Sequence, residues 1–138
     1  MPRTPEIYVR KGASGPTPLL DKLGIKPGQR ILAIGQLDQD FIARLRAAGA
    51  DVSTRKRPNN DLIFLAATDR EALWQLGPLQ EYLERDGAIW TIRPKGVKQI
   101  TERDVMEAAK LAGLVDVKVA KFYETHTAEK LVIPVAQR

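Results

Sequence analysis

The stretch Asp61-Leu-Ile-Phe-Leu-Ala-Ala67 is the strongest strand signal in the chain, and it predicts a central strand of a sheet. Its apolar residues follow one another without alternation, as in a strand that is buried on both faces. Arg30-Ile-Leu-Ala-Ile34 and Ala88-Ile-Trp-Thr-Ile92 are two further runs of this kind, and Ala50 to Thr54 is a candidate second strand. Such strands belong to sheets that are covered by helices on both faces.

Helical patterns lie between these strands. Asp38 is a capping residue before a segment that Gly49 closes, and apolar residues recur in it at helical spacing. Thr68 and Glu71 have capping-box spacing and predict a helix to about Arg85, kinked at Gly77-Pro78. Two more helices are predicted, a short one that begins at Thr17-Pro18 and one over Thr101 to Ala112.

The end of the chain changes pattern. Val115 to Tyr123 and Lys130 to Val135 alternate apolar and polar residues around a Thr/His loop, which predicts an antiparallel hairpin. We therefore predict a compact, Rossmann-like, three-layer α/β domain over residues 16–138, with a mostly parallel sheet that ends in this hairpin. Residues 1–15, rich in Pro, Gly and basic residues, are predicted to be an irregular arm.

Composition limits the possible functions. The chain has 138 residues, enough for one core, and without Cys it has no disulfide, thiolate metal site or cysteine nucleophile. No run of about 18 apolar residues could span a bilayer, so we expect a cytoplasmic protein with no membrane partner. The formal net charge of +5 is compatible with a polyanionic partner, although the basic residues are spread along the chain.

The order of the predicted elements resembles that of class I S-adenosylmethionine-dependent methyltransferases. Three segments also resemble a family of small bacterial domains of unknown function related to those enzymes. They are Ser14 to Ile31 (SGPTPLLDKLGIKPGQRI), Trp90 to Lys95 (WTIRPK) and Ala112 to Val119 (AGLVDVKV). The resemblance covers about residues 14 to 135. It implies the methyltransferase fold but no activity, because none is established for that family.

The resemblance also says where a cofactor would be held. The methyltransferases have a glycine-rich loop after the first strand, where this chain has Gly35 but Leu37 and Gln39 at the next alternate positions. We expect the Leu37 side chain to project toward the ligand. A carboxylate is expected at the end of the second strand to hold the ribose, but Ser53-Thr-Arg55 stands there, and Asp51 lies at the opposite end.

Catalytic motifs are also missing. Ala66-Ala-Thr-Asp69 replaces the Asn/Asp-Pro-Pro-aromatic motif of the amino-group methyltransferases, and one strand-helix unit after the second strand is missing. The single histidine, His126, is predicted to be a surface residue of the hairpin loop, without partners for a metal or for general-base catalysis. We assign no catalytic and no metal-binding residue, and the sequence does not identify a cofactor.

The candidate binding residues are Gly35, Arg55, Arg93 and Lys95. All four follow or end predicted parallel strands, at the edge where open α/β sheets bind ligands. The leading hypothesis is a non-catalytic domain that binds an anionic small molecule or a protein partner there. Sequence-independent nucleic-acid binding and methyl transfer at an atypical site remain alternatives, and the hairpin edge could pair with a second copy. Phe41, Phe64, Trp74 and Trp90 are expected in the core.

Overall fold

The computed structural model describes residues 18–138. The predicted arm, the boundary at residue 16 and the helix start at Thr17 lie outside the described residues. The helices are α1 (Pro18–Leu23), α2 (Gln39–Ala47), α3 (Leu76–Leu79) and α4 (Glu102–Leu111), and the strands are β1 (Arg30–Ile34), β2 (Asp51–Ser53), β3 (Asn60–Ala66), β4 (Leu83–Pro94), β5 (Val115–Phe122) and β6 (His126–Val132). Short 3₁₀ helices flank α3 (Arg70–Gln75 and Gln80–Tyr82) and end the chain (Val135–Gln137).

The six strands form one sheet in the order β2-β1-β3-β4-β6-β5. β1 to β4 are parallel to one another, and β6 runs antiparallel to both β4 and β5. This confirms the predicted fold class, a mostly parallel sheet that ends in an antiparallel hairpin. β2 is the edge strand at one side of the sheet, and residues 54–59 connect it directly to β3.

The sheet separates two apolar cores. On one face α1 and α2 pack through residues such as Leu23 and Phe41, and Phe41 meets the rings of Phe64 and Phe122 edge to face at 5.4 and 4.9 Å. On the other face α3, its 3₁₀ neighbours and α4 pack on Ile63 and Leu131. The three predicted layers are present, with the helices divided between the two faces of the sheet.

The segment after β3 differs from the single helix predicted over residues 68–85. It forms a 3₁₀ helix, the one-turn α3 and a second 3₁₀ helix, because Pro78 lacks the N–H that a continuous helix would need. The cap is Asp69, not Thr68, and its carboxylate accepts the N–H of Ala72 at 3.1 Å. The predicted inner face is correct, since all four of its leucines are buried (Leu73, Leu76, Leu79 and Leu83).

β4 begins five residues earlier than predicted, so Asp86-Gly87 lies inside the strand and is not a turn. The pairing of β3 with β4 shifts between Asn60 and Leu62 at this point. A Cβ on Gly87 would lie 2.6 Å from the carbonyl oxygen of Asp61. Glycine is therefore needed here because two backbones approach closely, not because the chain reverses.

The hairpin is tighter than predicted. β6 begins at His126, so Tyr123 to Thr125 form the connection, and Tyr123 has a φ of 57°. β5 is the outer strand, and its pairing with β6 is irregular between Asp116 and Lys118. Such a bulge twists an open edge and weakens its pairing with another strand.

The prediction that Trp74 lies in the core is wrong, because the exposed fraction of this residue is 74%. The other three aromatic residues predicted in the core, Phe41, Phe64 and Trp90, are buried. The broken helix explains the difference, because it directs Leu73 and Leu76 toward the sheet and Trp74 away from it. Among residues 18–138 no helix is both long and apolar enough to cross a membrane.

Candidate functional site

The four candidate residues lie along one edge of the sheet, where β1 to β4 end. We call this the carboxyl edge. Gly35 follows β1, Arg55 follows β2, and Arg93 and Lys95 end or follow β4. In the order β2-β1-β3-β4, three strand spacings, or about 14 Å, separate β2 from β4 across the sheet. The register places Ser53 at the end of β2 level with Ile89, so β4 extends beyond β2 to Pro94. Arg55 and Lys95 therefore flank Gly35 rather than converge on one point.

Gly35 is fixed by contact with the neighbouring strand. Its φ is 95°, and a Cβ built on it would lie 2.6 Å from the carbonyl oxygen of Ala66 at the end of β3. The protein itself thus excludes a side chain at this position, and a ligand is not needed to explain the glycine.

The prediction that Leu37 projects toward the ligand is wrong. Leu37 is buried in the core with Phe41 and Ile42. Its N–H bonds back to the carbonyl oxygen of Gly35 at 3.0 Å, and this tight turn directs the side chain under α2. Asp38 caps α2 as predicted, since its carboxylate accepts the N–H of Asp40 at 3.2 Å.

The end of β2 offers no carboxylate. The hydroxyl of Ser53 accepts the N–H of Arg55 and donates to the carbonyl oxygen of Arg55, which forms a small closed turn. The Arg55 side chain is exposed, and no ion pair joins it to another described residue. Asp51 pairs in register with Arg30 at the opposite, amino edge of the sheet, as predicted.

Arg57 has a role that the sequence does not reveal. Its guanidinium contacts the Asp51 carboxylate at 3.2 Å, the Asn60 amide oxygen at 3.3 Å and the carbonyl oxygen of Ile31 at 3.2 Å. Asn60 is fully buried and donates to the carbonyl oxygens of Arg57 and Tyr82. One residue of the basic run thus joins the β2–β3 connection to β1, while Arg55 and Lys56 remain exposed.

Arg93 is held by a buried carboxylate, Glu129, which sequence reasoning also missed. The Nε of Arg93 donates to Glu129 Oε2 at 2.8 Å, and the Thr91 hydroxyl donates to Glu129 Oε1 at 3.0 Å. Thr91 pairs with Glu129 between β4 and β6, so all three side chains project from the α4 face. Burial raises the pKa of Glu129, and the Arg93 guanidinium offsets part of this increase. A Glu flanked by apolar strand residues is the signal that could have indicated a buried partner.

Lys95 is the exposed cation at the end of β4. Its N–H donates to the carbonyl oxygen of Thr125 at 2.9 Å, and its ammonium has no ion pair within residues 18–138. The preceding Arg93 has only 11% of its side chain exposed. Of the two cations near the end of β4, Lys95 is the one available to a ligand.

The prediction that His126 is a surface residue of the hairpin loop is wrong. It begins β6 opposite Pro94, is half-buried, and its Nδ1 lies 2.7 Å from the Thr125 hydroxyl. Desolvation lowers the pKa of His126. The carboxyl edge thus carries no described histidine that is freely exposed to solvent.

The residues of this edge do not fit S-adenosylmethionine. The ribose of that cofactor needs a carboxylate at the end of the second strand, where Ser53 and Arg55 stand instead. The carboxylates after β1 and β3, those of Asp38 and Asp69, cap the following helices. An adenosyl group would therefore meet Arg55 where its usual partner is an acid.

The comparisons with known proteins agree with the fold. No protein-family model and no curated protein matches the chain. A SAM-dependent methyltransferase from Aquifex aeolicus superposes with a TM-score of 0.67 at 16% identity, over 84% of this chain and 88% of that one. The ribosomal protein L11 methylase of Lactobacillus delbrueckii gives 0.63 at 10% identity, over 83% and 74%.

A third similar structure contains the cofactor. Magnesium protoporphyrin IX methyltransferase from Synechocystis, with bound SAM, gives a TM-score of 0.54 at 11% identity, over 84% of this chain and 75% of that one. Identities this low show the fold alone. This chain therefore has the fold of the class I S-adenosylmethionine-dependent methyltransferases.

Proposed function

We propose that this domain binds an anionic small molecule along the carboxyl edge and does not transfer methyl groups. The observation that supports this proposal is the pair of exposed cations, Arg55 and Lys95, on either side of Gly35. The carboxylates of Asp38 and Asp69 at the same edge accept backbone N–H groups. These two carboxylates are thus used within the protein, and the exposed side chains of Arg55 and Lys95 are the charged groups that a ligand would meet at the ends of β2 and β4.

The separation of the two cations suggests the size of the ligand. β2 and β4 lie about 14 Å apart across the sheet, and β4 extends beyond the end of β2, which favours an elongated anion such as a nucleotide over a single phosphate. Arg93 is expected to contribute less, since its Nε donates to Glu129 and only a small part of its side chain is exposed. A direct contact between Arg93 and the ligand stays a prediction.

Adenosine triphosphate is a suitable probe, measured by the shift in apparent unfolding temperature that a ligand of the folded state produces. We expect a shift with the parent chain and a much smaller one with the Arg55→Gln/Lys95→Gln double variant. The control, Lys22→Gln/Lys110→Gln, removes the same charge from two exposed positions on helices.

Equal shifts for both double variants would contradict the proposed site, because net charge alone would then explain binding. Tighter binding of single-stranded nucleic acid than of adenosine triphosphate, weakened steeply by salt, would favour the nucleic-acid alternative instead. Binding of a protein partner that Arg55→Gln/Lys95→Gln abolishes, with no nucleotide binding, would favour the protein alternative.

Methyl transfer at an atypical site is the second candidate, and the likeness to methyltransferase structures favours it. It predicts that methyl-labelled S-adenosylmethionine is retained by the chain in equilibrium dialysis. Retention at micromolar concentration would support this candidate and contradict the first one. No retention at millimolar concentration would leave the anion-binding proposal as the better account.

A further inference from the structure

A cleft of about 550 Å³ opens at the amino edge of the sheet, opposite the site proposed above. It lies between the turn that follows α1 and the beginnings of β3 and β4, and β6 forms part of its wall. Leu23, Leu62 and Ala88 lie beneath it and are buried in the core, and the half-buried Val132 is exposed to it. Its volume lies in the range of small-molecule sites. The charged groups that line it determine the charge of a ligand that it could bind.

Lys130 is the unusual member of this cleft. It projects from the same face of β6 as Ala128 and Val132, and it pairs directly with the buried Trp90 of β4. Its neighbours on this face belong to the core, yet Lys130 is only half-buried. Within residues 18–138 its ammonium forms no ion pair and no hydrogen bond. A cation on an apolar face, facing a cleft and without a partner, is suited to hold an anion.

The other charges of the cleft favour the same sign of ligand. Lys26 is exposed on the rim, and its ammonium has no partner among the described residues. Three cations line the cleft (Lys26, Lys130 and Arg138) against two carboxylates (Asp61 and Asp86). The Nε of Arg138 donates to the carbonyl oxygen of Ile133 at 2.9 Å, so the two lysines are the cations without a described partner. Asp61 already accepts the N–H of Arg30 at 2.9 Å, which further reduces its effect on an incoming anion.

We infer that this cleft binds a small organic anion. Lys130 and Lys26 hold the acid group, and the rest of the molecule lies against Val132. This site is separate from the carboxyl edge, shares no residue with it and does not depend on the function proposed for that edge.

Trp90 can report occupancy of the cleft. It lies directly across from Lys130, and its Nε1 is buried without a hydrogen-bond partner among residues 18–138. The chain has two tryptophans, and the other, Trp74, is exposed on the opposite helical layer. In the variant Trp74→Phe the fluorescence therefore comes from Trp90 alone.

The probes are octanoate and its neutral analogue octanamide, titrated into Trp74→Phe while Trp90 emission is recorded. We expect a saturable change with octanoate and at least about tenfold weaker binding of octanamide, as the loss of a hydrogen bond to a charged group implies. Adding Lys130→Met should weaken octanoate and leave octanamide unchanged, and the further change Lys26→Gln should bring octanoate to the level of octanamide. Methionine keeps most of the length of the lysine side chain and suits the apolar face.

The control is Lys110→Met, which removes a cation from the exposed side of α4. It should leave the affinity for octanoate unchanged. Equal affinities for octanoate and octanamide, no change with Lys130→Met, or an equal loss with Lys110→Met would each overturn the inference. Absence of any saturable change with octanoate would overturn it as well.

Discussion

The guanidinium Nε of Arg93 lies 2.8 Å from Oε2 of Glu129 and joins β4 to β6 from the α4 face. Glu129 is completely buried, and Thr91 occupies its second carboxylate oxygen. Removal of one member of such a pair leaves a desolvated charge, while an apolar replacement of both members leaves none. The structural value of the pair can therefore be tested separately from ligand binding.

We expect Glu129→Ala to lower the free energy of unfolding by about 3 kcal/mol, because the Arg93 cation would remain without its partner. Urea unfolding measures this loss. The double variant Arg93→Met/Glu129→Leu should regain most of it. If the double variant were as unstable as Glu129→Ala, lost packing rather than an uncompensated charge would be the cause.

The pH dependence of stability should reveal the buried carboxyl. Burial raises the pKa of Glu129 above its ordinary value of 4.5. At pH values between 4.5 and the raised pKa, the folded chain therefore binds more protons than the unfolded chain. The free energy of unfolding of the parent chain, relative to that of Glu129→Gln, should therefore fall as pH rises from 4.5 through the raised pKa. A rise with pH would mean that the Arg93 guanidinium lowers the pKa of Glu129 by more than burial raises it.

Replacement of Gly35 tests the contact between the ends of β1 and β3. Gly35→Ala should cost about 2 kcal/mol or more, since the residue has a positive φ and its Cβ would overlap the carbonyl oxygen of Ala66. Gly113 also has a positive φ, but a Cβ there meets nothing within 4 Å. Gly113→Ala should cost only about 1 kcal/mol, the strain of the left-handed conformation. Equal losses of stability in the two variants would mean that the contact with the carbonyl oxygen of Ala66 does not contribute to the cost of Gly35→Ala.

The two arginines of the basic run should behave differently. Arg57→Ala is expected to lower the free energy of unfolding by about 2 kcal/mol, because Asp51 and the buried Asn60 would lose their hydrogen-bond partner. Arg55→Ala should change it by less than about 0.5 kcal/mol, as is usual for an exposed side chain. Thermal or urea unfolding of both variants provides the comparison, and similar losses would contradict the assigned roles.

The order of the elements was predictable because continuous apolar runs such as Asp61 to Ala67 report burial on both faces. The structure of the segment before β4 could not be predicted in this way. Pro78 breaks the helix into short turns, and β4 begins at Leu83 through an irregular pairing with β3. Neither effect follows from local propensity, since the second depends on where another strand lies.

The candidate site shows the same limit. The sequence placed Gly35, Arg55, Arg93 and Lys95 at one edge because each follows or ends a parallel strand. It could not show that Arg93 meets Glu129, since that contact depends on the register of β4 with β6. Nor could it separate Arg57 from Arg55, because only the folded connection brings Arg57 to Asp51 and Ile31.

In this methyltransferase fold, Arg55 stands where the cofactor needs an acid, and Lys95 is a second exposed cation at the end of β4. Calorimetric titration of the parent chain with adenosine triphosphate and with S-adenosylmethionine distinguishes an anion site from a cofactor site, since both ligands share the adenosine group and differ in charge. We predict measurable binding of adenosine triphosphate, reduced by Arg55→Gln/Lys95→Gln, and none of S-adenosylmethionine at the same concentrations. Micromolar binding of S-adenosylmethionine, with none of adenosine triphosphate, would contradict an anion site at the carboxyl edge.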